Sequence, residues 1–507
     1  MTADFELSHL ISKRAASRQT SHFSRGPPPK DTPPGFKAAE KFIPLHWGTP
    51  NEGFFPIESI DVNVVDHPFQ ASLGNSLTNA SLEALSISGQ DSKNQNYTKV
   101  SIKKHSSDPD ALDLAHGLQY SEVKGTPELL KFTREFITRT HKPNYEEWDT
   151  ITSNGAGEGL NKVVEAILDP GDVVLVEEFT FTPFLQNIRN VGGVPVPIKL
   201  NLSHDSEGLD IEYLTDLLEN WEELKPGLSK PKALYTIPTG QNPTGLTQSI
   251  GLRRKVYALA EKYDFFIIED DPYGYLTLPS FQKPSSTIKL DNYLTVEEYL
   301  KDHLTPSYLT IDSKGSVIRV ETFSKLFAPG LRLGFIVAHE RIIEVMTKYS
   351  EIVVRSSSGT SQTILTNVIK HAFGGVDGWL NWILKMRATY SHRKDILLNT
   401  IYESKAYKSG YIDVIDPHAG MFASVIINFP SGTDIEAKIK LLIFKFLHYG
   451  VGVVPGINMA ADKEFSKERG AFFRITYAPA PNDQVLTEGG ELMMKAIVDF
   501  FEKDFEF

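Results

Sequence analysis

From about residue 149 to residue 338 the chain alternates short, β-branched apolar runs with stretches whose apolar residues recur every three or four positions. Runs too apolar to keep a solvent-facing side predict strands covered on both faces, and the amphipathic stretches between them predict crossover helices on a parallel sheet. The predicted strands are the run around Ile151, then 173–177, 194–200, 233–237, 265–269, 317–322 and 333–338, with the first crossover helix over 159–168. These strands make one large α/β domain built on a seven-stranded, mostly parallel sheet.

Outside this block the pattern changes. Residues 1–40 carry Arg25-Gly26-Pro27-Pro28-Pro29 and Pro33-Pro34-Gly35 without sustained periodicity, which predicts an extended or partly disordered arm. Residues 278–316 begin with Pro279, Pro284, Ser285 and Ser286 and reach a helical pattern near 296–303, so they read as an insertion between two strands. A long amphipathic pattern over 379–402 precedes a mixture of strands (423–427, 472–476) and helices (435–448, 492–501). The expected division is an arm at 1–40, a large domain at 41–385 containing the insertion, and a smaller α+β domain at 386–507, with part of 41–110 joining the smaller one. No internal repeat or heptad array is present, which removes solenoids and coiled coils.

Composition then narrows the chemistry. With 52 Lys+Arg against 64 Asp+Glu the 507-residue chain has a formal charge of −12, and it lacks the basic footprint that phosphate backbones require, so no nucleic-acid partner is expected. There is no cysteine, which excludes disulfide scaffolds, thiolate zinc sites and cysteine nucleophiles. No uncharged apolar run approaches the ~18 residues of a membrane helix, and Asp4 and Glu6 stand where a signal peptide would be apolar. A cytoplasmic protein with no membrane partner is expected.

Four strand ends carry candidate chemistry. Thr322-Phe323-Ser324-Lys325 runs through a Pro-Gly turn to Arg332. A lone lysine is ordinarily a solvated charge, but at a sheet's carboxyl edge it can form a Schiff base with a carbonyl cofactor and serve as a base. Hydroxyls and a guanidinium beside it suit a phosphate. The strand ending Glu269-Asp270-Asp271 before Tyr273 reads as a Mg²⁺ site, as solvated acids, or as a buried Asp holding a pyridine nitrogen protonated. Asn154-Gly155-Ala156-Gly157 between a strand and a helix suits a phosphate at a helix N-terminus, or is simply a tight turn. Asn242, in Pro238-Thr239-Gly240-Gln241-Asn242-Pro243, is a donor to an anionic oxygen or an Asx turn. Farther on, Arg474 interrupts an apolar strand, either paired with an acid or presenting a fork to a substrate carboxylate.

In this order and spacing, from about Gly48 to Arg474, the segments resemble the fold type I, class I pyridoxal-phosphate aminotransferases. Tyr235–Gly245, 269–275 and 321–334 resemble in particular the fungal aromatic amino acid aminotransferases of the second, catabolic type, related to the kynurenine and α-aminoadipate enzymes. The resemblance implies pyridoxal 5'-phosphate as cofactor and no metal. It implies that Lys325 forms the internal aldimine and moves a proton between substrate and cofactor, and that Asp270 pairs with the pyridine nitrogen. Asn242 and Tyr273 would bind the phenolic oxygen. The phosphate would take the amides of Ala156 and Gly157 with Thr322, Ser324 and Arg332. Phe181 falls where the family has a Tyr stacked on the ring, so stacking is kept and a hydroxyl contact is lost.

Arg474, with Asn242, matches the clamp on the substrate carboxylate, and Tyr120 matches a tyrosine reaching across a homodimer whose active sites lie at the interface. Trp47-Gly48 departs from the family's double glycine, which leaves Gly48 as the substrate contact there, and Ala156 replaces a common Ser. The implied reaction is ping-pong exchange, through aldimine and ketimine forms, of the amino group of Phe, Tyr or Trp to a 2-oxo acid, with kynurenine or 2-aminoadipate as further donors. Another reaction on the same fold, a β-lyase or a decarboxylase, is the alternative.

Overall fold

The computed structural model describes residues 6–19, 33–37, 39–41, 43, 48–65, 97–108, 111–284 and 294–507. Trp47, the Arg25–Pro29 cluster and the centre of the insertion lie outside the described residues.

Two strands, β1 (Ser59–Val65) and β2 (Tyr97–Lys103), form an antiparallel pair. Their apolar faces pack on Leu114, Ile364 and Ala372, residues of the 41–385 range. The principal sheet contains β3 (Trp148–Ser153), β4 (Val173–Glu177), β5 (Val194–Ile198), β6 (Pro231–Thr236), β7 (Phe266–Asp270), β8 (Val317–Thr322) and β9 (Gly334–His339), in the spatial order β3-β9-β8-β7-β6-β4-β5. The five strands from β5 to β8 are parallel, as expected of runs buried on both faces. β9 departs from the all-parallel pattern and runs antiparallel to both β8 and β3. The reason is the connection from β8. Residues 323–333 hold only turns and a short 3-10 segment, Pro329–Leu331, and a parallel return needs a longer crossover, usually with a helix.

Helices cover both faces of this sheet. Ala156–Ile167 buries Leu160, Val163, Val164 and Ile167 on one of them, the spacing of an amphipathic helix. A second sheet has the order β10-β11-β13-β12, with β10 (Ile412–Ile415), β11 (Phe422–Ile427), β12 (Val454–Pro455) and β13 (Phe472–Thr476), all antiparallel. The helices Ile435–His448 and Asp483–Glu502 accompany it in the chain. A 27-residue helix, Val376–Tyr402, joins the two sheets in sequence.

One expectation fails at the N-terminus. Residues 6–19 are not extended: Glu6–Leu10 is a 3-10 helix, Lys13–Ala16 a helical turn, and Leu7, Leu10 and Ala15 are buried. Short-range spacing explains it, because Leu7 and Leu10 share a face and Ser12 caps the turn while donating to Asp169 at 2.7 Å. In the insertion, 296–303 is helical as expected. Tyr299 and Tyr308 at its described end are fully buried, so this part is built into the core. Among the described residues no helix is long and apolar enough to cross a membrane.

Candidate active site

Four of the segments singled out in the sequence follow the carboxyl ends of β3, β6, β7 and β8, where an open α/β sheet presents its ligands, and the fifth, with Arg474, lies within β13 of the second sheet. Lys325 lies on the short β8–β9 connection. That turn is held at both sides of the lysine: Phe323 N–H donates to Leu333 O at 3.1 Å, and Trp382 Nε1 donates to Leu326 O at 2.8 Å. Phe323 packs against Phe132, Phe335 and Trp379. The lysine itself is half-buried. Burial, and then the positive charges of Arg332 and Arg474, lower its pKa from the ordinary lysine value, which favours the neutral amine a nucleophile or base requires.

Asp270 ends β7 and is buried. Its Oδ2 accepts a hydrogen bond from Tyr235 Oη at 2.7 Å, whereas Oδ1 has no partner. Burial pushes its pKa up to about 7 despite the Tyr235 hydrogen bond. A buried carboxylate with one orphaned oxygen calls for a cationic or N–H donor. Tyr273, one turn beyond, is buried with its hydroxyl pKa raised, first by burial and then by Asp270.

Asn242 sits on the loop after β6, and its Oδ1 accepts from Arg474 Nη1 at 2.6 Å. Arg474 comes from β13 of the second sheet, and its guanidinium lies 4.3 Å over the Phe422 ring. No acid pairs with it among the described residues, and burial lowers its pKa. The structural alternative of an Arg–carboxylate pair is therefore replaced by a weaker bond to a neutral amide, which leaves the fork available to a carboxylate.

A third group lies around the N-terminus of the helix Ala156–Ile167. Asn154 N–H donates to Glu158 Oε2 at 2.9 Å, and Arg332 Nη2 donates to Asn154 O at 3.0 Å. Gly155 has φ +82°, and a Cβ there would stand 2.4 Å from Arg332 Nη2, so glycine is needed both for the turn and for the guanidinium's approach. Gly157 has open space where a Cβ would be. Thr322 Oγ1 donates to Ser324 Oγ at 2.9 Å and accepts from Ser324 N–H at 3.2 Å. Free amides at a helix start, two hydroxyls and a guanidinium form an anion cradle.

The structure links these residues pairwise: Lys325 feels the charges of Arg332 and Arg474, Arg474 bonds Asn242 and acts on Tyr273, and Tyr273 feels Asp270, while Arg332 reaches the Asn154 carbonyl just before Ala156 and Gly157. Phe181 is half-buried at the start of the helix Thr182–Asn190. Tyr120 is 65% exposed. Gly48 is exposed too, and among the described residues neither touches this group.

Sequence reading missed what lies beneath. Glu269 and Asp271 are neither solvated nor grouped for a cation: Arg319 Nη1 lies 2.9 Å from each, and its Nε donates to Glu321 at 2.7 Å. Tyr235 was also missed as the partner of Asp270. A polar hydroxyl in an otherwise apolar buried strand was the available signal.

The family model "Aminotransferase class I and II" matches residues 85–489. Aromatic amino acid aminotransferase 2 of Saccharomyces cerevisiae is 39% identical over 491 residues, covering 92% of this chain and 91% of the yeast protein. The crystal structure of the aromatic aminotransferase Aro9 from C. albicans superposes with a TM-score of 0.89 at 53% identity, covering 98% of this chain and 99% of that one. The structure of the aminotransferase Aro8 from Candida albicans superposes at 0.81 with 30% identity and the same coverage.

Proposed function

The chain belongs to the class I and II aminotransferases, and from that premise we propose that it transfers the amino group of an aromatic amino acid to a 2-oxo acid, with pyridoxal 5'-phosphate as its cofactor. The fold is that of fold type I enzymes, with the large sheet as platform.

The residues present fit the cofactor. The orphaned Oδ1 of Asp270, at the floor of the site, is the single observation that most supports this reading, since a protonated pyridine nitrogen supplies the cationic N–H that oxygen lacks. Asn242 and Tyr273 would hold the phenolic oxygen, and Phe181 would stack on the ring. Ala156 and Gly157 amides, Thr322, Ser324 and Arg332 would take the phosphate. When bound, the cofactor supplies an electron sink for the charge left on the substrate Cα.

Lys325 is the covalent anchor and, once released, the base that moves the Cα proton. Its lowered pKa suits both tasks. Arg474 receives the substrate carboxylate and orients Cα toward the lysine, exchanging the carbonyl of Asn242 for a charged partner. Gly48 and Tyr120 are proposed to line the substrate side.

We test the reaction by adding phenylalanine, without an oxo acid, to the cofactor-loaded enzyme. The visible band of the lysine-linked cofactor should disappear as one phenylpyruvate is released per site. A band unchanged by phenylalanine would overturn the substrate, and no band after reconstitution would overturn the cofactor.

The working unit is proposed to be a homodimer. Support comes from exposed apolar side chains on two linked segments: Tyr120, Ile352 and Val353 are 65%, 65% and 56% exposed, and the Ser121–Ser356 hydroxyl contact at 2.7 Å links their segments. Contiguous apolar exposure of this kind marks an interface. Sedimentation should report twice the chain mass at micromolar concentration, and a monomer there overturns the dimer.

A further inference from the structure

Arg387 lies on the long helix Val376–Tyr402, away from the site described above. Its Nε is buried without a hydrogen-bond partner, and among the described residues no carboxylate pairs with its guanidinium. Burial lowers its pKa, and only the Tyr299 hydroxyl acts in the other direction. A guanidinium does not give up its proton inside a protein, so a desolvated one without an acid is a standing electrostatic cost.

This arginine lines a cleft of about 480 Å³ where five further segments meet: 204–207, 245–249 beyond Asn242, Thr277–Leu278, 303–305, and 416–418 just before β11. The wall is polar, with Thr247, Thr305, His303 and His418 contributing. Acids also line it, and among the described residues only Asp416 is paired with a lysine or arginine. Asp416 pairs with Lys394 at 2.8 Å, Glu207 accepts from Ser249 at 2.9 Å, and Asp205 faces His204 at 2.9 Å. None of the proposed cofactor or substrate residues lines this cleft.

From the unpaired guanidinium and the polar cleft in front of it, we propose that this is a second small-molecule site, for an anion carrying carboxylate groups. Volume separates such a ligand from a bare inorganic ion, since clefts of roughly 300–1,000 Å³ accommodate small organic molecules. Because 416–418 leads into the smaller sheet and 245–249 follows a strand of the larger one, an occupant would bridge the two.

The test is calorimetric titration of citrate, and separately inorganic phosphate, into the cofactor-loaded enzyme at fixed ionic strength. Citrate should bind one saturable site per chain, equally in Arg474→Gln, and at least ~10-fold more weakly in Arg387→Met, in line with the strength of charge-assisted bonds. The ligand-free Arg387→Met protein should melt no lower than the parent, because the substitution removes an unpaired charge. The proposal is overturned if neither anion binds, if Arg387→Met binds citrate like the parent, if Arg474→Gln loses the binding, or if ligand-free Arg387→Met melts lower. Phosphate binding as tightly as citrate would replace the carboxylate ligand by a phosphate one and overturn that part.

Discussion

Lys325→Ala is expected to lower kcat by about 10⁴-fold or more, since it would remove the proposed covalent anchor and base together, and a positioned base alone is worth roughly 10²–10⁴-fold. The fold should survive. Lys325 is half-buried and makes no hydrogen bond or ion pair among the described residues, while the turn is held by Phe323, Leu326 and Trp382. Reconstitution followed by absorption spectroscopy should show cofactor bound through its other contacts without the lysine-linked band. A loss of less than about 10-fold, measured by steady-state turnover with an aromatic donor, would return the lysine to a structural role.

Asp270→Asn carries the second large effect, an expected fall of ~10³-fold in kcat/KM, comparable with removing a preorganised electrostatic partner. The amide has the same shape but cannot hold a pyridine nitrogen charged. A pH signature separates this from a packing defect. In the cofactor-free protein Asp270 titrates at about 7, against an ordinary value of 3.8.

Between those values the folded chain holds a proton that the unfolded chain has lost. The burden on stability therefore grows as pH rises through that window and levels off above about 7. A bound pyridinium removes the burden. Glu177 and Glu321 also titrate near 7, but they are common to the loaded and empty forms. The gap in Tm between loaded and empty protein should widen from pH 5 to pH 8 in the parent and stay flat in Asp270→Asn. Scanning calorimetry at the two pH values decides it, and a parallel widening in both proteins would sink the assignment.

Lys325, Asp270 and Asn242 were legible in the sequence because each lies at or a few residues past the end of an apolar run, and the position of a strand's carboxyl end follows from that run alone; Arg332 was legible from its place after the Pro-Gly turn that follows Lys325. The seven strands of the main sheet were legible for the same reason. Tyr235 and Arg319 were not, because their meaning comes from partners on other strands. Tyr235 lies 35 residues from Asp270, and Arg319 lies 48 from Asp271. Strand order, which sets those neighbours, is not written in any local pattern. The reversal of β9 was hidden differently, since its residues read as strand and only the shortness of the preceding connection signals direction. In the N-terminal segment the proline clusters farther along masked the Leu7–Leu10 pair and the Ser12 cap.

The turn that carries Lys325 starts and ends on strands in the middle of the large sheet, whereas Arg474 stands on the separate, smaller sheet. Local opening of a protein proceeds from its less tightly packed units, and interior strands are the last to exchange their amide hydrogens. The strand bearing Arg474 is flanked on one side only by the two-residue β12, whose Val454 pairs with Arg474 itself, so detachment of that short edge would loosen the fork while the turn around the lysine stays closed. On the proposed roles of Arg474 and Lys325, a molecule opened in this way would lose its grip on substrate before it lost the cofactor.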